Sequence, residues 1–147
     1  PCSGLGALRR RPEARWRKSP RDIAELLPLQ RQLLDAAISV TRPGGVIAYV
    51  TCSPHAAETQ NIVAEVLESG AVSLLDSAAI LREVALHTEG ANGEPVSVLA
   101  GEKDPGHTPE IKVKKGAPVV NASATTAQLW PHVHGTDAMF LALLRKN

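Results

Sequence analysis

The chain has 147 residues, of which 44% are hydrophobic and 21% charged, and its formal net charge is +1. That composition fits one globular domain or part of one, and it excludes a disordered, collagen-like or disulfide-scaffold protein. No apolar run approaches the ~18 residues needed to span a bilayer, and the N-terminal residues do not read as a secretory signal, so no membrane partner and a cytoplasmic location are expected.

Residues 1 to 8 are small and Gly-rich, which suits a loop leaving the end of a strand. The chain opens at Pro1 directly onto Cys2-Ser3-Gly4, and reads as a fragment whose upstream part is missing. A basic segment follows. Residues 9 to 21 hold seven of the sixteen Lys and Arg and one acid, Glu13, so this segment is +6 and the remainder −5. Such a cluster on a near-neutral chain suggests a polyanion contact, and Trp16 inside it offers a stacking surface for a base or ribose.

Ser19, Pro20 and Asp22 read as a helix start, with an N-cap, a first-turn proline and an acid near the positive end of the dipole. Pro28 is expected to interrupt this helix or to begin a second one. Beyond it Leu29, Leu33, Ala37 and Val40 form one helical stripe, widened by Leu34 and Ile38. Arg42-Pro43-Gly44-Gly45 stops it.

The run Val46 to Thr51 predicts a strand buried on both faces, with Tyr49 in the core. Cys52-Ser53-Pro54 ends it. Glu58 to Ser69 predicts a helix stopped by Gly70, Ala71 to Leu75 a strand, and Ser77 to His87 either. Residues 88 to 128 change character and read as a loop or hairpin insertion, with short strands at Val96 to Ala100 and Ile111 to Val113. Leu129 to Gly135 reads as a turn, and Ala138 to Leu144 as a second buried strand. The alternation of helix and strand predicts an α/β fold with a mainly parallel sheet. Ligands of such sheets bind beyond the carboxyl ends of strands. Cys52 is at such an end, and Cys2 follows another if a strand precedes Pro1, so the two thiols are expected to face one cleft. Two cysteines are too few for a disulfide framework. His132 and His134 are expected in a turn, with no metal site.

Pro1-Cys2-Ser3-Gly4-Leu5-Gly6, followed by Arg9-Arg10, Pro12, Arg15 and Trp16, resembles the fourth motif of the Sun/Fmu (RsmB-type) family of rRNA cytosine-5 methyltransferases. Gln30 with Leu34-Asp35-Ala36 resembles its next helix. Pro43-Gly44-Gly45 with Tyr49-Val50-Thr51-Cys52-Ser53 resembles its sixth motif, and Trp130-Pro131-His132 through Asp137 and Phe140 its closing strand. Where the family often has Pro-Glu-Glu-Asn, this chain has Ala56-Ala57-Glu58-Thr59.

The resemblance implies the C-terminal half of a Rossmann-like class I methyltransferase domain, mainly parallel with an antiparallel final strand. Residues 1–147 would then be a partial catalytic domain, monomeric, with the N-terminal cofactor-binding half outside the chain and the fragment inactive alone. It implies S-adenosyl-L-methionine as cofactor, with Pro1 at its edge, and ribosomal RNA as partner. Cys52 would add to cytosine C6 as nucleophile, and Cys2 would help release the product. Cytosine C5 is a weak nucleophile, and a thiolate at C6 makes it enamine-like, which is covalent catalysis. A free thiol titrates at about 8.5, so the nucleophile calls for a positive or hydrogen-bonding neighbourhood. Arg9, Arg10, Arg15, Trp16, Arg17 and Lys18 would hold the RNA, by phosphates rather than by sequence. Two alternatives stay open: a DNA cytosine-5 methyltransferase with Cys2 as nucleophile, and a non-enzymatic RNA-binding module. Asp137 reads as a turn cap or a site residue.

Overall fold

The computed structural model of the chain describes residues 1–86, 126–134 and 136–147. Two short 3-10 helices, Leu5–Ala7 and Pro12–Arg17, precede helix α1 (Pro20–Val40). Strand β1 (Val46–Thr51) leads through a 3-10 turn (Ala56–Glu58) into α2 (Gln60–Glu68). Then come β2 (Val72–Leu74), α3 (Ser77–Leu86), β3 (Ala127–Leu129), the single turn α4 (Pro131–His134) and β4 (Met139–Lys146). The strands expected at Val96 to Ala100 and Ile111 to Val113 lie outside the described residues. The 88 to 128 segment ends in β3, a strand that composition did not reveal.

The final strand organises the sheet. β4 lies between β1 and β2, and β3 pairs with β4 as well. All three pairings are antiparallel, with Val46 opposite Arg145, Leu74 opposite Leu144 and Ala127 opposite Leu141. The antiparallel final strand that the resemblance implies is present, every described pairing runs through it, and no parallel pairing occurs among the described residues. β1 and β2 do run in the same direction, with α2 crossing between them. β4 inserts between them in reverse and takes the hydrogen bonds that a parallel pair would have shared.

Alternation along β4 puts Phe140, Ala142 and Leu144 on one face, all fully buried. They meet Ile47 from β1, Leu34 and Ile38 from α1, and Ile62, Val63, Val66 and Leu67 from α2. Each large side chain buried here contributes roughly 1.5–3 kcal/mol relative to exposure. The Tyr49 ring meets Phe140 edge to face at 6.3 Å. Helix α3 packs against β3 and β4, and the Ser77 hydroxyl accepts the Leu143 N–H at 2.8 Å.

Three further expectations are corrected. β1 is buried on one face only, and Val46 and Val50 are exposed. Its apolar run would suit two covered faces, but the described helices α1 and α2 cover one. Pro28 does not break α1, which runs unbroken for 21 residues. The proline removes one backbone donor, while burial of Gln30, Leu34 and Ile38 beyond it keeps the helix on the sheet. The buried stripe is also rotated. Leu29, Leu33 and Val40 are 43%, 48% and 84% exposed, and Gln30 turns inward instead. An apolar-count rule passes over a buried glutamine because its burial depends on a partner from elsewhere in the chain.

Candidate active site

The turn at the start of the chain is pinned between the ends of two strands. Gly6 donates its N–H to the Cys52 carbonyl at 2.8 Å, and its own carbonyl accepts the Ala138 N–H at 3.0 Å. A Cβ at Gly6 would lie 2.0 Å from the Ala138 oxygen and 2.8 Å from the Cys52 oxygen, so the approach requires glycine. Gly4, at φ 71°, turns the backbone in the left-handed region that glycine adopts freely. These constraints bring Cys2 to the carboxyl end of β1. The Cys2 and Cys52 sulfurs stand 3.1 Å apart, both free thiols and both partly exposed. The two thiols stand together, as the reading of one shared site expects.

Beneath the thiols lies Glu58, with no exposed surface. Its Oε1 accepts the Ser3 N–H at 2.7 Å and the Gln30 side-chain amide at 2.8 Å. Its Oε2 accepts the hydroxyls of Ser3 at 2.5 Å and Ser53 at 2.6 Å. The Tyr49 hydroxyl donates to the Glu58 carbonyl at 2.9 Å. Burial alone would push this carboxyl up, but the donors from Ser3, Ser53 and Gln30 outweigh it and hold the group below the ordinary glutamate range. Glu58 is therefore a buried carboxylate satisfied by four donors.

The Cys52 thiol is pushed up to about 11, first by burial and then by the adjacent Cys2. The pull runs opposite to the thiolate-favouring neighbourhood that a nucleophile calls for, so Cys52 is a protonated thiol at neutral pH. The carboxylate that acts on Cys52 from beyond the thiol pair belongs to a compensated group. Asp137 accepts from Arg9 at 2.9 Å and from Arg10 through both of its oxygens. Arg10 first, then Arg9, hold its carboxyl below the usual range.

The basic segment therefore divides. Arg9 and Arg10 turn back onto Asp137, which fastens the segment to the start of β4. The 3-10 helix Pro12–Arg17 has no buried residue. Trp16 is 85% exposed, with the Arg15 guanidinium 5.8 Å from its ring centroid. Arg11, Arg15, Arg17 and Lys18 are all exposed along this stretch.

The structure thus brings Cys2 and Cys52 together, and leaves Arg15, Trp16, Arg17 and Lys18 on an open surface. Glu58 escaped the residue-type reading because a lone Glu before a helix is indistinguishable from a first-turn dipole partner. Its burial was legible only in the donors around it. Asp137 proves to be an anchor for two arginines. Glu58 and Asp137, the carboxylates flanking the thiols, are already taken up by protein donors, and Pro1 is exposed. The described residues therefore do not form a complete cradle for S-adenosyl-L-methionine. Among the described residues no cluster of His, Cys, Asp or Glu is arranged to hold a metal ion, and no helix is long and apolar enough to cross a membrane.

Comparison with known proteins identifies the family and the fold. The family described as 16S rRNA methyltransferase RsmB/F matches residues 1–145. A Mycobacterium tuberculosis protein named as a methyltransferase is 48% identical over 146 residues, 99% of this chain and 25% of that protein. Ribosomal RNA small subunit methyltransferase B of Erwinia tasmaniensis is 51% identical over 53 residues, 36% of this chain and 12% of that protein. Among solved structures, PH0851 superposes with a TM-score of 0.65 at 26% identity, over 99% of this chain and 25% of that one. The NSun6 structure from Pyrococcus horikoshii, solved with SFG, shares the fold with a TM-score of 0.59 at 23% identity, over 99% of this chain and 28% of that one. The chain spans about a quarter of the length of the Mycobacterium relative.

Proposed function

That this chain belongs to the 16S rRNA methyltransferase RsmB/F family is the premise from which we propose that the whole protein methylates cytosine C5 in ribosomal RNA. The observation that carries the proposal is the pair of thiols 3.1 Å apart at the end of β1. In this reading Cys52 adds to C6 of the target base, and C5 becomes nucleophilic enough to accept a methyl group. Cys2 then helps to expel Cys52 once the C5 proton has left. With Cys52 protonated at rest, addition must be coupled to loss of its thiol proton, and Cys2 is the nearest side chain to that sulfur.

The methyl donor in this reading is S-adenosyl-L-methionine, bound mainly by other parts of the whole protein, with Pro1 at its edge. Residues 1–147 form the partial catalytic domain that faces the base, and 88 to 128 are an insertion in it. The target base must leave its stack to reach the thiols, which loops and bulges of RNA allow. Arg11, Arg15, Arg17 and Lys18 hold the phosphates, and Trp16 offers a ring for stacking. The second thiol at Cys52 supports this reading over a DNA-type enzyme, in which Cys2 would be the nucleophile.

The test is to incubate the whole protein with small-subunit ribosomal RNA and a methyl-labelled donor, then to digest the RNA to nucleosides. All label is expected in 5-methylcytidine. Label in any other nucleoside would overturn the assignment of C5.

A further inference from the structure

We propose that Glu58 is the positioning residue that sets the distance between the two thiols; the proposal rests on the reading of Cys2 and Cys52 as a working pair. The four donors to this carboxylate come from three places in the chain, and two of those places are the residues immediately after each cysteine. The Ser3 N–H, which belongs to the peptide joining Cys2 to Ser3, bonds Oε1 at 2.7 Å. The Ser3 and Ser53 hydroxyls both bond Oε2. Ser53 also accepts the His55 N–H at 3.1 Å, which shapes the turn after Cys52. The two cysteine loops therefore meet on one carboxylate, and Gln30 ties that carboxylate to α1 at 2.8 Å.

Among the described contacts between the two loops, the Gly6 bridge fixes the far side of the turn, and the long Ser3–Ser53 hydroxyl contact at 3.5 Å is itself held by the carboxylate that both hydroxyls share. Glu58 touches neither sulfur and acts through Ser3 and Ser53. Its carboxylate has two oxygens and accepts four bonds. An alanine accepts none. A glutamine keeps the length and one oxygen: turned one way its amide faces the two serines, whose hydroxyls must become acceptors, and turned the other way it faces the Ser3 N–H, which cannot.

The experiment uses the whole protein and two readouts. The first is intramolecular disulfide formation with oxidised glutathione. One cysteine displaces a glutathione thiolate to give a mixed disulfide. The other cysteine then displaces the second, leaving a Cys2–Cys52 bond and two reduced glutathiones. Dividing this rate by the rate of single-thiol alkylation with iodoacetamide leaves the geometric factor. The second readout is the split between kcat and RNA affinity.

Glu58→Ala is expected to lower the normalised pairing rate by at least ~10-fold and kcat by about 10²-fold, the scale of a 1 Å misplacement, with RNA affinity unchanged. Glu58→Gln is expected to recover part of both. If Glu58→Ala does not fold by circular dichroism, Ser53→Ala, which removes one donor on the Cys52 side only, carries the same expectation in reduced degree. A folded variant that pairs its thiols at the wild-type rate would overturn the proposal. If pairing is lost but the wild-type protein methylates no RNA, the positioning role stands and the functional reading fails.

Discussion

The sulfurs of Cys2 and Cys52 lie 3.1 Å apart although fifty residues separate them in the chain. Neither loop alone defines that contact. It arises where Gly6 closes on Cys52 and Ala138, and where Ser3 and Ser53 share the Glu58 carboxylate.

The two cysteines are expected to fail differently. In the whole protein, Cys52→Ala should abolish both methylation and any covalent protein–RNA adduct, because no thiolate adds to C6. Cys2→Ala should leave addition intact and slow the expulsion of Cys52, so that a denaturation-resistant complex accumulates. A denaturing gel with labelled RNA and donor reads this directly. An adduct that vanishes in Cys2→Ala and persists in Cys52→Ala reverses the roles, as a DNA-type enzyme requires. No adduct in any variant is the behaviour of a binding module.

The outer basic residues are expected to carry the electrostatic part of RNA binding. Neutralising Arg15, Arg17 and Lys18 should weaken binding across unrelated RNAs and flatten the slope of log K against log salt by roughly 0.7 per lost single-strand contact. Trp16→Ala should cost about 1–3 kcal/mol if a base stacks there, with the salt slope unchanged. Arg10→Gln is expected to act differently, by freeing the segment from Asp137. Wild-type binding by the triple variant would reduce the cluster to a solvated face.

Alkylation of Cys52 should rise steeply with pH. Its thiol titrates near 11, so the thiolate fraction grows about tenfold per pH unit from neutrality to pH 10. Cys2→Ala removes the second cause of the upward shift, and the whole profile should move to lower pH. Mass spectrometry of the Cys52 peptide after timed iodoacetamide treatment measures it. A profile already flat above pH 8 would show a thiolate stabilised by groups other than those described.

Gly6→Ala is expected to be more damaging than its chemistry suggests. The added methyl would press on two backbone carbonyls, which cannot swing aside as a flexible side chain would. Overpacking of this kind costs roughly 1–3 kcal/mol, and the turn carrying Cys2 should be pushed from β1. Thermal denaturation should show a lowered Tm, and the Cys2–Cys52 disulfide should form more slowly. An unchanged Tm together with unchanged pairing would mean that the strand ends do not hold the turn.

The sequence by itself determined the two-thiol motif, the basic segment with its tryptophan and the α/β class. These are properties of local spacing. Pro-Cys-Ser-Gly and Thr-Cys-Ser are contiguous, and the apolar run ending at Leu144 marks a strand wherever it pairs. Tertiary structure alone decided the rest. Periodicity placed Leu29 and Leu33 inward, but the buried face of α1 follows Gln30, whose amide reaches a carboxylate 28 residues further on. Which strands β4 would join was hidden for the same reason, since it enters between β1 and β2 from the far end of the chain. Arg9 and Arg10 looked like their basic neighbours, but both pair with buried Asp137, about 127 residues away. A buried charge or amide is tolerated only with its partners in place, and here those partners are remote in sequence, so only the folded chain shows which polar residues are interior.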